Sequence, residues 1–395
     1  MDLDTTQTLL VLADARARLQ AAARRLEAED VPIASAVGRV TAGPHRALVD
    51  LPGWDNSSLD GYALRAADSD RDLPVTLAVA AGDDPPPLAP DSAASIATGG
   101  VVPEGADAVV AVEHATESGG RVRSEERLVA GAGIRRRGAD IQAGAVVVDG
   151  GVRLSAVGVS SLAAAGLGSG ACVRRPRAIV LTTGDELVAP GAPLRRGQVH
   201  DSNSLLLLET LTALGCDIEL GGRVPDTRAE TERLFAGALE ADLVVSSGGV
   251  SVGPRDHVKP SLAALGVEEL FWRVAIQPGK PVWAGRAPGG GIVLGLPGNP
   301  LSALVGLHLM VAPLVRTLQG VPEPAPLELP LAVAVRRLGK RTRALPARIA
   351  GGQIEPLAEV SHQIARAAAA EGLVLLEAGT GEHPAGTPAP FVPIG

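Results

Sequence analysis

The chain has 395 residues, of which 46% are hydrophobic, 20% charged and 2% aromatic, with 48 Gly, 31 Pro and a formal net charge of -8. That length exceeds one ordinary core and points to roughly two to four domains, whose cores must be built from Ala, Val and Leu. The acidic balance, with no basic block to offset it, excludes a non-specific nucleic-acid binder, so any anionic substrate must be held by local donors or a divalent cation.

Cys172 and Cys216 lack metal-ligand spacing and read as packing residues of a reducing compartment. Met1-Asp2-Leu3-Asp4 has no basic leader character, and no apolar run approaches the roughly 20 residues of a membrane span, so a cytoplasmic protein without a membrane partner is expected.

Taken in order, residues 6–29 carry Leu9, Leu12, Leu19 and Leu26 among alanines and predict one helix, with Thr5 or Thr6 as cap and Pro32 as stop. Residues 46–146 change to short β-like runs such as Val75 to Ala80 and Ala108 to Val112, separated by Gly, Pro and Asp turns. Within them, Asp60-Gly61 reads as a turn that sets a carboxylate beside the only tyrosine, Tyr62, in either a structural or a catalytic role. Thr98-Gly99-Gly100 is either an oxyanion donor or a β-turn. Arg135 to Arg137, before Asp140, reads as a solvated charge run. Residues 155–162 predict a helix that packs beside the N-terminal one.

From residue 177 strands and helices alternate. Strands are predicted at 178–181, 217–220, 243–245, 270–276, 282–284 and 292–294. Helices are predicted at 204–214, 227–240 with a capping box from Thr227 to Glu230, 258–265, and 301–310 after Asn299 and Pro300. The fold class is therefore multidomain α/β. A central, mostly parallel α/β sandwich (177–320) is joined by an inserted all-β domain (46–146), a helical region (1–45 with 147–176) and a C-terminal β domain (321–395). Arg336 to Arg343 reads as a solvated loop or a contribution to a substrate cleft.

Ligands bind such sheets beyond the carboxyl ends of strands. There the chain places Thr183-Gly184-Asp185-Glu186, Asp201-Ser202-Asn203 and Pro225-Asp226. Ser247-Gly248-Gly249, Ser251, Gly253 and Asp256 follow, then Pro278-Gly279-Lys280 and Pro297-Gly298-Asn299-Pro300. Glycine turns offer main-chain N–H groups to anions. Clustered carboxylates call for a hard cation, and Mg2+ with phosphate is the natural pairing.

Together these motifs resemble the molybdopterin molybdenumtransferases, the MoeA family that includes the C-terminal part of gephyrin. The similarity runs from Asp60-Gly61-Tyr62-Ala63 to Leu296-Pro297-Gly298-Asn299-Pro300. It is carried most strongly by Thr183 to Leu187, Gly197 to Asn203, and Ser247 to Gly253 with Asp256. The resemblance implies a homodimer, a molybdopterin-binding α/β domain, and a C-terminal domain like a small β-barrel. It also implies insertion of molybdenum from molybdate into adenylylated molybdopterin with release of AMP, and partners among the adenylylating enzyme and acceptor molybdoenzymes.

Carried onto matching positions, the catalytic set would be Asp60, Thr98, Asp140, Glu186, Asp226, Asp256 and Lys280, with Glu186, Asp226 and Asp256 as Mg2+ ligands. Thr98 and glycine N–H groups would hold anionic oxygens, while Lys280 would offset the charge of molybdate or phosphate. The chain departs from the family pattern at Leu59 (methionine is usual), Gly100 (alanine) and Gln277 (often basic), and matches more weakly around Ser361 to Gln363. The alternatives are the adenylylating enzyme, a non-enzymatic scaffold of the gephyrin kind, and a pterin-storing module.

Overall fold

The computed structural model describes residues 9–250, 256–358 and 362–394. The chain divides into two compact units, one of Asp30–Cys172 and one of Met1–Glu29 with Val173–Gly395.

The smaller unit holds a six-stranded sheet in the order Ala108–Ala111, Gly61–Leu64, Ala93–Ile96, Leu73–Val79, Arg121–Ser124, Ala115–Ser118. Gly61 opens its strand without a positive φ. A methyl there would overlap Val110 O on the neighbouring strand, so close packing, not a turn, demands glycine after Asp60. The helix Ala156–Ala164 is capped by Ser155, whose side chain accepts the Gly158 N–H. Its Leu162 joins Val31, Ile33, Leu154 and Cys172 in this unit's core.

In the larger unit the strand order is Asp217–Val224, Arg177–Thr183, Leu243–Ser247, Ile292–Leu296, Trp283–Arg286, Glu268–Trp272. The first four strands pair in parallel, and Trp283–Arg286 alone runs against them, antiparallel to both of its neighbours. Strand alternation sends Ala178, Val180, Leu243, Val245 and Leu294 to one face and Ile179, Leu181, Val244 and Val293 to the other. Helices cover both faces. Leu207 of Asn203–Ala213 and Val305 of Pro300–Gly306 lie on the first, and Phe235 of Arg228–Ala238 and Leu262 of Val258–Ala264 on the second.

A second sheet, in the order Ile276–Gln277, Thr342–Ala350, Gly372–Leu376, Pro388–Pro393, Leu327–Pro330, encloses Leu331, Leu345, Val374 and Phe391. Its parallel pairing of Ile276–Gln277 with Thr342 and Arg343 anchors the loop that carries Lys280.

Several local expectations change for tertiary reasons. The N-terminal helix spans only Leu12–Ala22. Beyond it, Leu26 N–H donates to Leu318 O and Glu27 O accepts the Arg174 N–H, which draws the backbone out of helix. Its Leu12 and Leu19 pack in the larger unit's core, so it is not the companion of Ala156–Ala164. The expected capping box does not form: the Thr227 side chain caps nothing, its N–H donates to Pro225 O, and Glu230 pairs with Arg233. The strand expected over 270–276 is broken at Arg273, whose φ is 68°. The final helix runs on to Gln319 through a π-helical stretch at Leu307–Val311 just before Pro313. Widened turns there ease the clash a proline makes with the preceding turn. The full helix, Pro300–Gln319, is long and apolar enough to cross a membrane, yet 89% of its apolar window is buried in the protein.

Arg174 secures the larger unit from beneath. Its guanidinium donates to Asp242 from Nη1 at 2.6 Å and Nη2 at 2.8 Å, and it also pairs with Glu27. Burial raises the Asp242 pKa, but Arg174 and the Arg177 N–H outweigh it and hold the carboxyl below its ordinary 3.8. Asp242→Asn is expected to cost about 2 kcal/mol at pH 7. Because the folded pKa is depressed, this contribution is present above 3.8 and lost as pH falls through the folded value. Urea unfolding of both proteins should therefore converge in acid.

Candidate functional site

Thr182, at the end of the first parallel strand, donates to Asp201 Oδ2 at 2.8 Å, and Asp201 Oδ1 accepts the Ser204 N–H at 3.0 Å. Asp201 thus fixes the start of the helix Asn203–Ala213. Asn203, 7% exposed, ties three loops together. Its Nδ2 donates to Ser247 Oγ at 2.7 Å and to Gly298 O at 2.9 Å, and Ser247 Oγ donates to Pro297 O at 3.2 Å. A carbonyl can only accept, so the bond to Gly298 O fixes which way the amide faces. The site residue Asn203 is therefore a clamp between loops.

Gly248 and Gly249 turn at φ 93° and 68°. The Gly248 N–H donates to Leu296 O at 2.9 Å, which removes it from the anion donors expected of this turn. The N–H groups of Gly249 and Gly298 have no acceptor among the described residues and can meet an anion. Thr183 Oγ1 reaches Ser247 O at 3.4 Å. Ser202, Asn299 and Gly298 are exposed and Pro297 is buried; Pro300 is the first residue of its helix. Ser251 and Gly253 lie outside the described residues.

The acidic rim is assembled in part. Asp185 Oδ1 accepts the Asp226 N–H at 3.4 Å, which joins the loops after two neighbouring strands. The Glu186 carboxylate folds over Gly184, at φ 138°, in space a side chain would occupy. Asp256 is half-buried ahead of Val258–Ala264, and its charge is felt by Lys259. Among the described residues no group of three or more His, Cys, Asp or Glu side chains converges as metal ligands. Glu186, Asp226 and Asp256 are therefore not a preformed Mg2+ cage. Pro278 and Gly279 are buried, while Lys280 is exposed and forms no ion pair among the described residues. A cavity of about 480 Å3 beside this edge is lined by Leu187, Pro190, Asp201, Ser204 and Arg223. A larger one, about 590 Å3 and lined by Asp242 and Gly291, lies at the amino ends of the strands, away from where such sheets bind ligands.

In the smaller unit, Asp60 Oδ1 accepts both the Thr98 N–H at 2.7 Å and the Thr98 hydroxyl at 3.0 Å. These two bonds hold the exposed Asp60 carboxyl below its ordinary pKa. Thr98 consequently positions the Asp60 carboxylate, and its donors are not free for a substrate oxygen. Asp60 lines a cavity of about 500 Å3 with Tyr62, Asp83 and Ser95, whereas Asp140 lines a separate one of about 320 Å3 with Ser160 and Ser161. The arginine run is paired as well as solvated, Arg136 with Asp55 at 2.6 Å and Arg137 with Asp50 at 2.5 Å.

The "MoeA N-terminal region (domain I and II)" family model matches residues 10–166, and the "Probable molybdopterin binding domain" model matches residues 179–317. A molybdopterin molybdenumtransferase of Haemophilus influenzae is 40% identical over 301 residues, 74% of this chain and 74% of that protein. The chain belongs to the molybdopterin molybdenumtransferase family. A family member from Nostoc is 38% identical over 306 residues, 75% of this chain and 70% of that one. The solved structure of the MoeA protein from Pyrococcus horikoshii matches with a TM-score of 0.85 at 29% identity, covering 98% of this chain and 100% of that one.

Against the family pattern, Gly100 is more than a neutral exchange for alanine. An added methyl would lie 2.9 Å from Ala97 O and 3.0 Å from Ile96 Cγ1. At Gln277, another of these departures, Oε1 is buried with no hydrogen-bond donor among the described residues. The roles of Asn203 and Thr98 as positioners were illegible in sequence, since an amide or hydroxyl in a motif gives no sign of whether it faces a ligand or another loop.

Proposed function

We propose that this chain transfers molybdenum from molybdate to adenylylated molybdopterin, cleaving the phosphoanhydride linkage and releasing AMP. The observation that carries this reading is the loop clamp at Asn203. In a chain of this family, it holds the glycine turn and the Pro297-Gly298 loop on the sheet edge that also bears Asp185, Glu186 and Asp226.

Cleavage of the linkage builds negative charge on the phosphate oxygens, and we assign Gly249 N–H, Gly298 N–H and Lys280 to meet it. Glu186, Asp226 and Asp256 are the acidic set of the larger unit, and Asp60 and Asp140 that of the smaller. Mg2+ typically binds through one or two carboxylates together with phosphate oxygens. We therefore assign it to the substrate's phosphates, with the larger unit's carboxylates as its protein ligands. A homodimer, a cytoplasmic location and exchange with adenylylating and acceptor enzymes complete the reading; sedimentation at twice 40.0 kDa tests the dimer.

The purified protein is expected to release AMP from adenylylated molybdopterin when molybdate is supplied. Binding without AMP release, or consumption of ATP instead, would overturn the transferase assignment in favour of storage or adenylylation. Asp226→Asn and Asp256→Asn are each expected to slow AMP release about tenfold, the size of one lost charged contact, with unchanged far-UV circular dichroism. Full activity in both variants would remove these carboxylates from the site.

A further inference from the structure

The acidic rim poses an electrostatic problem, because a phosphate-bearing substrate must approach carboxylates on an edge where Lys280 and Arg223 are the cations described so far. Two further cations lie beside the glycine turn. Lys259 Nζ sits 3.0 Å from the centroid of the Trp272 ring, and the Arg273 guanidinium carbon 4.1 Å from the same ring. The indole is itself fixed, since Trp272 Nε1 donates to Val250 O at 3.1 Å. This places the platform one residue from Gly249, whose N–H has no acceptor among the described residues. All three side chains are partly exposed.

We propose that Lys259 and Arg273, stacked on Trp272 beside the glycine turn, form a phosphate-receiving wall that takes the diphosphate of the adenylylated substrate. This assignment rests on the transferase reading for the identity of its ligand.

Neither cation forms an ion pair among the described residues. The nearest acidic neighbour on the same strand, Glu269, accepts the Trp283 Nε1–H at 2.6 Å instead. Burial lowers the Lys259 pKa, and the smaller repulsion from Arg273 adds to it against the opposing pull of Glu269 and Asp256. A cation held against an aromatic face keeps its charge, and the N–H groups directed away from the ring remain available to an anion.

The backbone points the same way. Asp91 and Arg273 are the non-glycine residues with positive φ among the described ones; aspartate visits that region readily, but a long side chain does not. Arg273 is held there from both sides, by its N–H to Val282 O at 2.9 Å and by its carbonyl, which accepts the Leu10 N–H at 3.2 Å. Strain maintained by its surroundings is typical of positions that aim a functional side chain. This geometry breaks the edge strand and turns the guanidinium back over the indole.

The test is calorimetric titration of the full chain with inorganic pyrophosphate at several salt concentrations, with AMP release assayed on the same samples. Lys259→Ala and Arg273→Ala are each expected to weaken pyrophosphate binding about tenfold and to flatten its salt dependence, while Lys259→Arg retains both. Affinity and salt dependence that are unchanged in both alanine variants overturn the proposal, as does a parent protein that binds no pyrophosphate. If the parent binds pyrophosphate through these residues yet releases no AMP, the transferase reading falls and the phosphate wall stands. If AMP release proceeds while binding ignores both residues, the reverse holds. Should an alanine variant fail to fold, Lys259→Arg and Trp272→Phe carry the comparison: the first must keep pyrophosphate affinity and the second must lower it.

Discussion

Gly248→Ala is expected to slow AMP release about a hundredfold while leaving the protein folded. The turn at Gly248 has φ 93°, a conformation side-chain-bearing residues rarely adopt, and an added methyl would press on Thr183 Oγ1 and lie 2.9 Å from Thr183 O. Relief requires the turn to move, by strain worth about 1–3 kcal/mol. Three partners move with it: Ser247, held by Asn203; Gly249, the proposed anion donor; and the Pro297-Gly298 loop. Displacement of a positioned group by about 1 Å is enough for an effect of this size. Gly237→Ala is the matched control. It lies in the helix Arg228–Ala238 with nothing within 4 Å of the new methyl, so it should leave AMP release unchanged and stabilise the helix by up to about 1 kcal/mol. Equal activity in both variants would show that the turn does not position the site.

The second large effect concerns stability in mild acid. His308, 8% exposed, sits in the π-helical stretch of the final helix. Burial, with a smaller contribution from the charge of Arg316, lowers its pKa from 6.5 to about 4. The unfolded chain then takes up a proton near pH 6.5, which the folded chain accepts only near pH 4. The folded state binds fewer protons across that window, so stability is complete above it and falls as pH drops through it. The loss amounts to about 3 kcal/mol from this group. Urea unfolding at a series of pH values should show that slope in the parent protein and a flatter one in His308→Gln. A slope of equal size in the variant would assign the acid sensitivity to other groups.

Much of the larger unit was legible because its signal is local. Continuous apolar runs at Ala178 to Leu181, Leu243 to Val245 and Ile292 to Leu294 indicate strands buried on both faces, and the stretches between them carry helical spacing. The Gly and Asp turns that follow each strand could be placed on one sheet edge by the topology rule alone. The elements that were misjudged are those where local signal was overruled by a distant partner. The stripe that promised a helix to residue 29 stops at Ala22, where Leu318 and Arg174 capture the backbone. The apolar run over 270–276 divides because its two halves join different sheets.

Sequence by itself determined the class of fold, the sheet edge on which the larger unit's glycine and carboxylate turns gather, and the family, since these follow from spacing and residue type along a line. Only tertiary structure decided what each polar group does with its hydrogen bonds. Thr98 and Asn203 belong to recognisable motifs, yet the first fixes the Asp60 carboxylate and the second ties Ser247 to Gly298, because each donor meets a closer acceptor from a remote segment. Lys259 and Arg273 belonged to no motif singled out in the sequence. Their association through the Trp272 ring depends on a helix start and an edge strand meeting in space, a proximity that no one-dimensional pattern encodes.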